Sequence, residues 1–244
     1  MPTRRLLLLS NSSDPDGNYL RHPAAEIRDL LGDAVRTVAF VPFAGVTIAW
    51  DDYAARTAAA LEALGYALAP VHRAADPAAA VRGAEAVAVG GGNTFHLLRA
   101  LYAHGLLDAI RARVAAGAPY LGWSAGSVVA CPTMRTTNDM PIVEPPSLDA
   151  LGLVPFQINA HYTDAHPAGF RGETRAQRLA EFVAANPGVP VVGLPEGTML
   201  RVRDGDVRLV GEPTSAAHAP VFGVPGVETA PPDERLSFLV GGEG

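Results

Sequence analysis

The sequence predicts an α/β fold, a mostly parallel sheet sandwiched by helices, and three observations carry that prediction. Short apolar runs alternate with alanine-rich segments of helical spacing along the chain. The runs read as buried strands, as expected where helices cover both faces of a sheet. Two glycine-rich corners, at 90–92 and 122–126, directly follow such runs. That places them at the carboxyl ends of strands, where open α/β sheets build their sites. At 244 residues, 48% of them apolar, the chain is long enough to bury a full core. The expectation is a single domain spanning 1–244.

Taken in order, 5–10 is a first buried strand, closed by the turn cluster 11–17. Residues 19–31 have helical spacing (Leu20, Ile27, Leu30, Leu31) and stop at Gly32. A strand over 37–41 is broken by Pro42 and Gly45, and a helix over 51–64 has acidic residues in its first turn. Further strands are expected at 67–71 and 86–89, with a short helix at 77–83 between them. Helices follow at 95–104 and 106–116. A strand over 119–121 then runs into the second glycine corner, and 128–130 begins another helix. Residues 134–146 are polar, proline-bearing and without periodicity, a long loop of the kind that is commonly functional. A short strand at 156–159 leads to His161, an amphipathic helix covers 174–186, and a strand at 189–194 ends at Pro195-Glu196-Gly197. Strands at 199–202 and 207–210, joined by Asp204-Gly205-Asp206, form a C-terminal β-hairpin, and 236–240 reads as a last strand.

Composition excludes several chemistries. The formal charge is −6 and no basic cluster interrupts it, which argues against a nucleic-acid surface. One cysteine, Cys131, rules out an internal disulfide and a multi-cysteine zinc site, and suits a reducing cytoplasm; it reads as a small buried side chain. The leucines after Arg4-Arg5 stop at Ser10, far short of a secretory core or a membrane span. All 19 basic residues are arginine. A Walker A lysine, a Schiff-base lysine and a Ser-Lys dyad are thereby removed together.

What remains is Gly122-Trp123-Ser124-Ala125-Gly126, a Gly-x-Ser-x-Gly corner that turns a strand sharply into a helix and exposes the serine Oγ. Without lysine, its base must be histidine. Of seven histidines, His22, His72, His96 and His104 suit surface roles and His218 lies in the tail. His161 follows a strand at a loop, where a side chain can be aimed. Glu196, Asp139 and Asp164 all remain open as the acid that orients it. His161, Asp164 and His166 fit neither strand nor helix spacing for a metal site, and no metal is expected. Gly90-Gly91-Gly92 allows converging amides, an oxyanion hole or carboxylate clamp as against a flexible connection.

These residues resemble the peptidase E family, bacterial α-aspartyl dipeptidases grouped with cyanophycinase. The similar stretches are Leu7–Ser12, Val41–Val46, Gly90–Phe95, Gly122–Gly126, Thr136–Val143, Gln157–Asn159 with His161, Gly172–Arg175 and Gly193–Gly197. One departure is Ala160, where the family carries proline. The resemblance implies a fold like the class I glutamine amidotransferases, with serine replacing their cysteine. It also implies a Ser124, His161 and Glu196 relay, which selects the acid that spacing leaves open. The expected substrate is a small acidic dipeptide, with no metal or organic cofactor, in a cytoplasmic monomer or homodimer without nucleic-acid or membrane partners. Gly92 and Ala125 are the expected oxyanion donors. Arg175 is the expected partner of the substrate carboxylate, with Arg171 and Arg135 as alternatives; Asn93 and Thr94 are expected to contact polar groups of the substrate, and Asp139 to serve substrate binding or loop positioning. A β-aspartyl peptidase, an ester hydrolase and a non-catalytic binder of acidic dipeptides are the competing readings.

Overall fold

The structure, a computed structural model, describes residues 4–165, 169, 171–211, 218–226 and 228–240. Five parallel strands form its centre: β1 (Arg5–Leu9), β2 (Thr37–Val41), β3 (Ala67–Pro70), β4 (Ala86–Val89) and β5 (Tyr120–Trp123). They lie in the order β3-β2-β4-β5-β1. Next come β6 (Gln157–Tyr162) and β7 (Val191–Pro195), which pair in parallel with each other in a second sheet. The hairpin β8 (Met199–Arg203) and β9 (Asp206–Val210) returns to the first sheet, antiparallel to β1, and completes its seven strands. Short strands β10 (Ala219–Phe222) and β11 (Thr229–Ala230) finish the second sheet in the order β11-β10-β7-β6.

The pleat divides the interior into two cores. Leu6 and Leu8 of β1 face one, Leu7 and Leu9 the other, and all four are 0% exposed. Helices α1 (Ala24–Leu31) and α2 (Trp50–Glu62) cover the Leu7 face through Ile27, Leu31, Tyr53 and Leu61. Helices α3 (Pro77–Arg82), α4 (Thr94–Ala103) and α5 (Leu106–Ala115) cover the Leu8 face. The single turn α6 (Ala125–Val128) leaves β5 on that same side. Helix α7 (Arg175–Ala185) packs Leu179 on Tyr162 and Val191 of the second sheet. Local sequence starts these helices: Asp76 accepts from the Ala79 amide ahead of Pro77, Asn93 accepts from His96, and Thr174 with Gln177 forms a capping box.

Four expectations change. The 19–31 helix begins only at Ala24, because Tyr19 bridges to Ser13 and Leu20, at φ 52°, bonds to the Ser12 carbonyl. The helix after the serine corner lasts one turn. The carbonyls of Val129, Ala130 and Cys131 accept from the amides of 151–154, so the segment closes a loop instead of continuing a helix. The strand expected at 156–159 runs on through Tyr162 and belongs, with β7, to a separate sheet. At 236–240 there is a 3-10 turn, Ser237–Leu239, not a strand. The 134–146 loop is present without helix or strand, and bonds along β6 through Thr136 to the Ile158 carbonyl and Asn138 to that of Ala160. Among the described residues, no helix is long and apolar enough to cross a membrane.

Leu8 is buried at the middle of β1, between β5 and β8. Leu8→Ala should therefore cost about 2–5 kcal/mol, read from the shift in a urea unfolding midpoint.

Candidate active site

Ser124 stands between β5 and α6 with φ 52° and ψ −115°, a conformation that costs free energy for a residue with a side chain. Its surroundings hold it there. The Ser124 amide donates to the Leu9 carbonyl. Ser127 Oγ lies 2.7 Å from the Leu9 carbonyl and 2.9 Å from that of Gly122. Gly126 lets the turn press against β4, since a Cβ there would stand 2.0 Å from the Val89 oxygen.

His161 arrives from the other sheet. It is the extra residue of a bulge in β6, where the register with β7 shifts between Ala160 and Tyr162, and it takes φ 53°. Both sides of its backbone are held. Its amide donates to Ser10 Oγ (2.9 Å), whose own proton goes to the Leu194 carbonyl (2.7 Å). Its carbonyl accepts from Arg175 Nη1 at 2.5 Å. The bulge turns the imidazole so that Nε2 lies 2.9 Å from Ser124 Oγ and Nδ1 lies 2.6 Å from Glu196 Oε1. Glu196 follows directly on β7, and the Gly197 amide donates to Asn11 Oδ1. With Nδ1–H donating to the carboxylate, Nε2 is the acceptor facing the hydroxyl, as a Ser-His-acid relay requires.

The glycine loop lies against this corner. Gly90 and Asn93 donate to the Val41 and Ala44 carbonyls, while the amides of Gly91, Gly92 and Ala125 take no acceptor among the described residues. Gly92 has φ 137°, and a Cβ there would meet the Ala44 oxygen at 2.1 Å. Tyr53 Oη donates to the Gly91 carbonyl (3.1 Å) and accepts from Trp123 Nε1 (2.9 Å). Burial raises the Tyr53 phenol above its ordinary pKa, which keeps it a donor. In a trans peptide the Gly92 N–H points opposite to the Gly91 carbonyl, hence away from Tyr53.

A cavity of about 730 Å³ opens at Ser124, lined also by Gly91, Gly92, His161 and Asp139. A second, of about 510 Å³, adjoins it at Asp139 and carries Arg135, Arg175 and Arg178. Asp139 Oδ2 accepts from the Thr94 amide (2.7 Å), from Thr94 Oγ1 (2.5 Å) and from Thr137 Oγ1 (3.1 Å), fastening the 134–146 loop to the start of α4. Thr94 is 1% exposed, so its expected contact with substrate is replaced by this anchoring of Asp139. Asn93 lines the serine cavity, but its Oδ1 caps α4 and its Nδ2 donates to the Met140 carbonyl. Arg175 does not reach the serine cavity's lining: it holds the His161 carbonyl and borders the second cavity, whereas Arg171 is among the lining residues of neither.

Of the remaining candidates, Asp164 accepts from the Tyr162 hydroxyl and the Ala176 amide, away from the relay. His166 lies outside the described residues. Cys131 is buried, and burial pushes its thiol up. His96 donates to the Phe43 carbonyl and His72 bonds to Asp51, structural tasks where surface ones were expected. Ser10 and Tyr53 escaped the sequence reading. The signal for each was faint, a hydroxyl closing an apolar strand and a lone tyrosine on an alanine-rich helix.

A hydroxyl held at a strained strand-to-helix corner, bonded to a carboxylate-backed imidazole, has the layout of a serine hydrolase. Residues 6–210 match peptidase family S51, and the chain belongs to that family of serine peptidases. It is 50% identical over 212 residues to "Peptidase E" of a Nostoc species, covering 87% of this chain and 88% of that one. "Peptidase E" of Citrobacter koseri is 52% identical over 210 residues, covering 86% and 91%. Two solved structures share the fold. A putative peptidase E protein from Listeria monocytogenes EGD-e superposes with TM-score 0.63 at 22% identity, over 86% of this chain and 98% of its own. A peptidase from an acI-B1 actinobacterium gives 0.71 at 18%, over 98% and 97%.

Ser10 joins the bulge to β7 through one hydroxyl that is 0% exposed as a residue. Ser10→Ala leaves a buried carbonyl and a strained amide unsatisfied. It should lower stability by about 1–3 kcal/mol, measured by thermal or urea unfolding.

Proposed function

We propose that the chain is a dipeptidase for substrates with an amino-terminal aspartate, acting through a Ser124, His161 and Glu196 relay and an aspartyl-enzyme intermediate. The observation that carries this reading is the unbroken row from Ser124 Oγ to His161 Nε2 (2.9 Å) and from His161 Nδ1 to Glu196 Oε1 (2.6 Å). Ser124 attacks the peptide carbonyl as His161 takes its proton, and Glu196 fixes the tautomer and offsets the charge of the imidazolium. The developing oxyanion is met by the Gly92 and Ala125 amides. His161 returns the proton to the departing amine, and water, activated by the same imidazole, releases aspartate.

Selectivity follows from charge placement. Asp139 commits one oxygen to Thr94 and Thr137, and no bond to its Oδ1 occurs among the described residues, which suits it to the substrate ammonium. The adjoining cavity, bordered by Arg175, Arg135 and Arg178, suits the aspartate side chain. Arg175 there has a double task, since it also steadies the His161 carbonyl. The relatives named "Peptidase E" support the peptidase part of this reading.

Incubation with Asp-Leu, Asn-Leu, β-Asp-Leu and p-nitrophenyl acetate tests it by product chromatography and absorbance. Asp-Leu should be hydrolysed far faster than the other three, and Ser124→Ala should abolish the reaction. Preference for β-Asp-Leu, or for the ester alone, would replace this reading with another. A second measurement addresses the oxyanion donors. Removing one typically costs about 10²–10³ in rate. Tyr53→Phe frees the Gly91 carbonyl without deleting the Gly92 amide, so kcat for Asp-Leu should fall by roughly tenfold, a part of that loss, with KM little changed.

A further inference from the structure

The cavity at Ser124 contains a guanidinium that the relay does not use. Arg56, on α2, lines it together with Tyr19. Its Cζ stands 4.0 Å from the centre of the Tyr19 ring, and its Nη2 lies 3.5 Å from Ser13 Oγ. Tyr19 is itself held, edge-on to Trp123 at 6.3 Å and with its hydroxyl 3.3 Å from Thr57 Oγ1. The ring therefore gives Arg56 a fixed seat of the cation–π kind. Among the described residues, no carboxylate forms an ion pair with it, whereas Arg73 and Arg111 each have one and Arg201 has two. An arginine seated on a ring in the nucleophile's cavity, with one long bond to a hydroxyl and no ion pair among the described residues, is suited to receive a carboxylate.

Its position says which carboxylate. Arg56 rises from α2, on the Leu7 face of the sheet, while Asp139 is fastened to α4, on the Leu8 face. The two opposite charges both line the cavity at Ser124 and are carried by elements on opposite faces of the sheet. A dipeptide carries an ammonium at one end and a carboxylate at the other, with the scissile bond between them. Two extended residues span at most about 7 Å, so the terminal charges of a dipeptide stay a fixed, short distance apart, and each added residue moves them further from each other.

We propose that Arg56 binds the free C-terminal carboxylate of a dipeptide on the leaving-group side of Ser124, so that the cavity selects for length as well as for the first residue. This rests on the dipeptidase reading above. Arg56 is exposed on the helix surface, so its replacement leaves both cores untouched.

The test is isothermal titration of Ser124→Ala protein with Asp-Leu and with Asp-Leu amide, with and without Arg56→Ala. With Arg56 present, the amide should bind at least about tenfold more weakly than the acid, the worth of one charge-assisted bond. With Arg56→Ala the two should bind alike, through loss of affinity for the acid, and Arg56→Lys should restore part of the difference. Equal binding of acid and amide by the Ser124→Ala protein, or a difference that survives Arg56→Ala, overturns the proposal. Failure of the Ser124→Ala protein to bind Asp-Leu at all removes the dipeptidase reading itself, and this assignment with it.

Discussion

At position 126 the backbone closes onto the carbonyl of Val89 so tightly that a single added methyl would stand 2.0 Å from that oxygen. This approach fixes how β5 leaves the sheet and where Ser124 is left standing. It also brings the strained serine backbone under control, because the segment is tied back by the Leu9 and Gly122 carbonyls through Ser127. The strain at Ser124 is held by packing between β4, β5 and β1, which are buried along nearly their whole length. A loop nucleophile without such a seat would relax to an ordinary turn and turn its hydroxyl elsewhere.

The row of Ser124, His161 and Glu196 joins two sheets. The serine comes from the seven-stranded sheet, and the histidine and glutamate from the four-stranded one. Its geometry therefore depends on how firmly the sheets are joined. The joints are specific: Ser10 reaches the Leu194 carbonyl and the His161 amide, and Asn11 takes the Gly197 amide. Both residues lie at the carboxyl end of β1, immediately beside the strand that delivers the serine. One short segment thus sets both halves in register, and Arg175 secures the bulge from the far side.

Much of this was legible in the sequence because it is local. The parallel strands announce themselves as apolar runs, the caps as Asp76-Pro77 and Asn93, and the corner as glycines around Ser124. Resemblance chose Glu196 over Asp139 and Asp164 where spacing did not; Glu196 Oε1 lies 2.6 Å from His161 Nδ1. What stayed hidden is non-local. At the bulge, the His161 amide is taken by Ser10, far away in sequence. The second sheet depends on pairing between β6, β7 and β10, which no periodicity reveals. The one-turn helix after Ser124 is cut short by bonds to 151–154. Thr94 and Asn93 fit the pattern of ligand-binding residues, yet their atoms go to capping and to fastening Asp139 and Met140.

The bond from Tyr53 to the Gly91 carbonyl does more than hold a loop still. An amide that accepts on its oxygen shifts electron density toward that oxygen, and its nitrogen proton becomes more acidic in consequence. The peptide unit between Gly91 and Gly92 accepts from a buried phenol, itself receiving from the Trp123 indole. Indole, phenol and amide form one chain of aligned dipoles whose positive end emerges at the Gly92 proton. In the reaction proposed above, negative charge gathering above Ser124 would be answered by a polarisation that begins three groups back, inside the core.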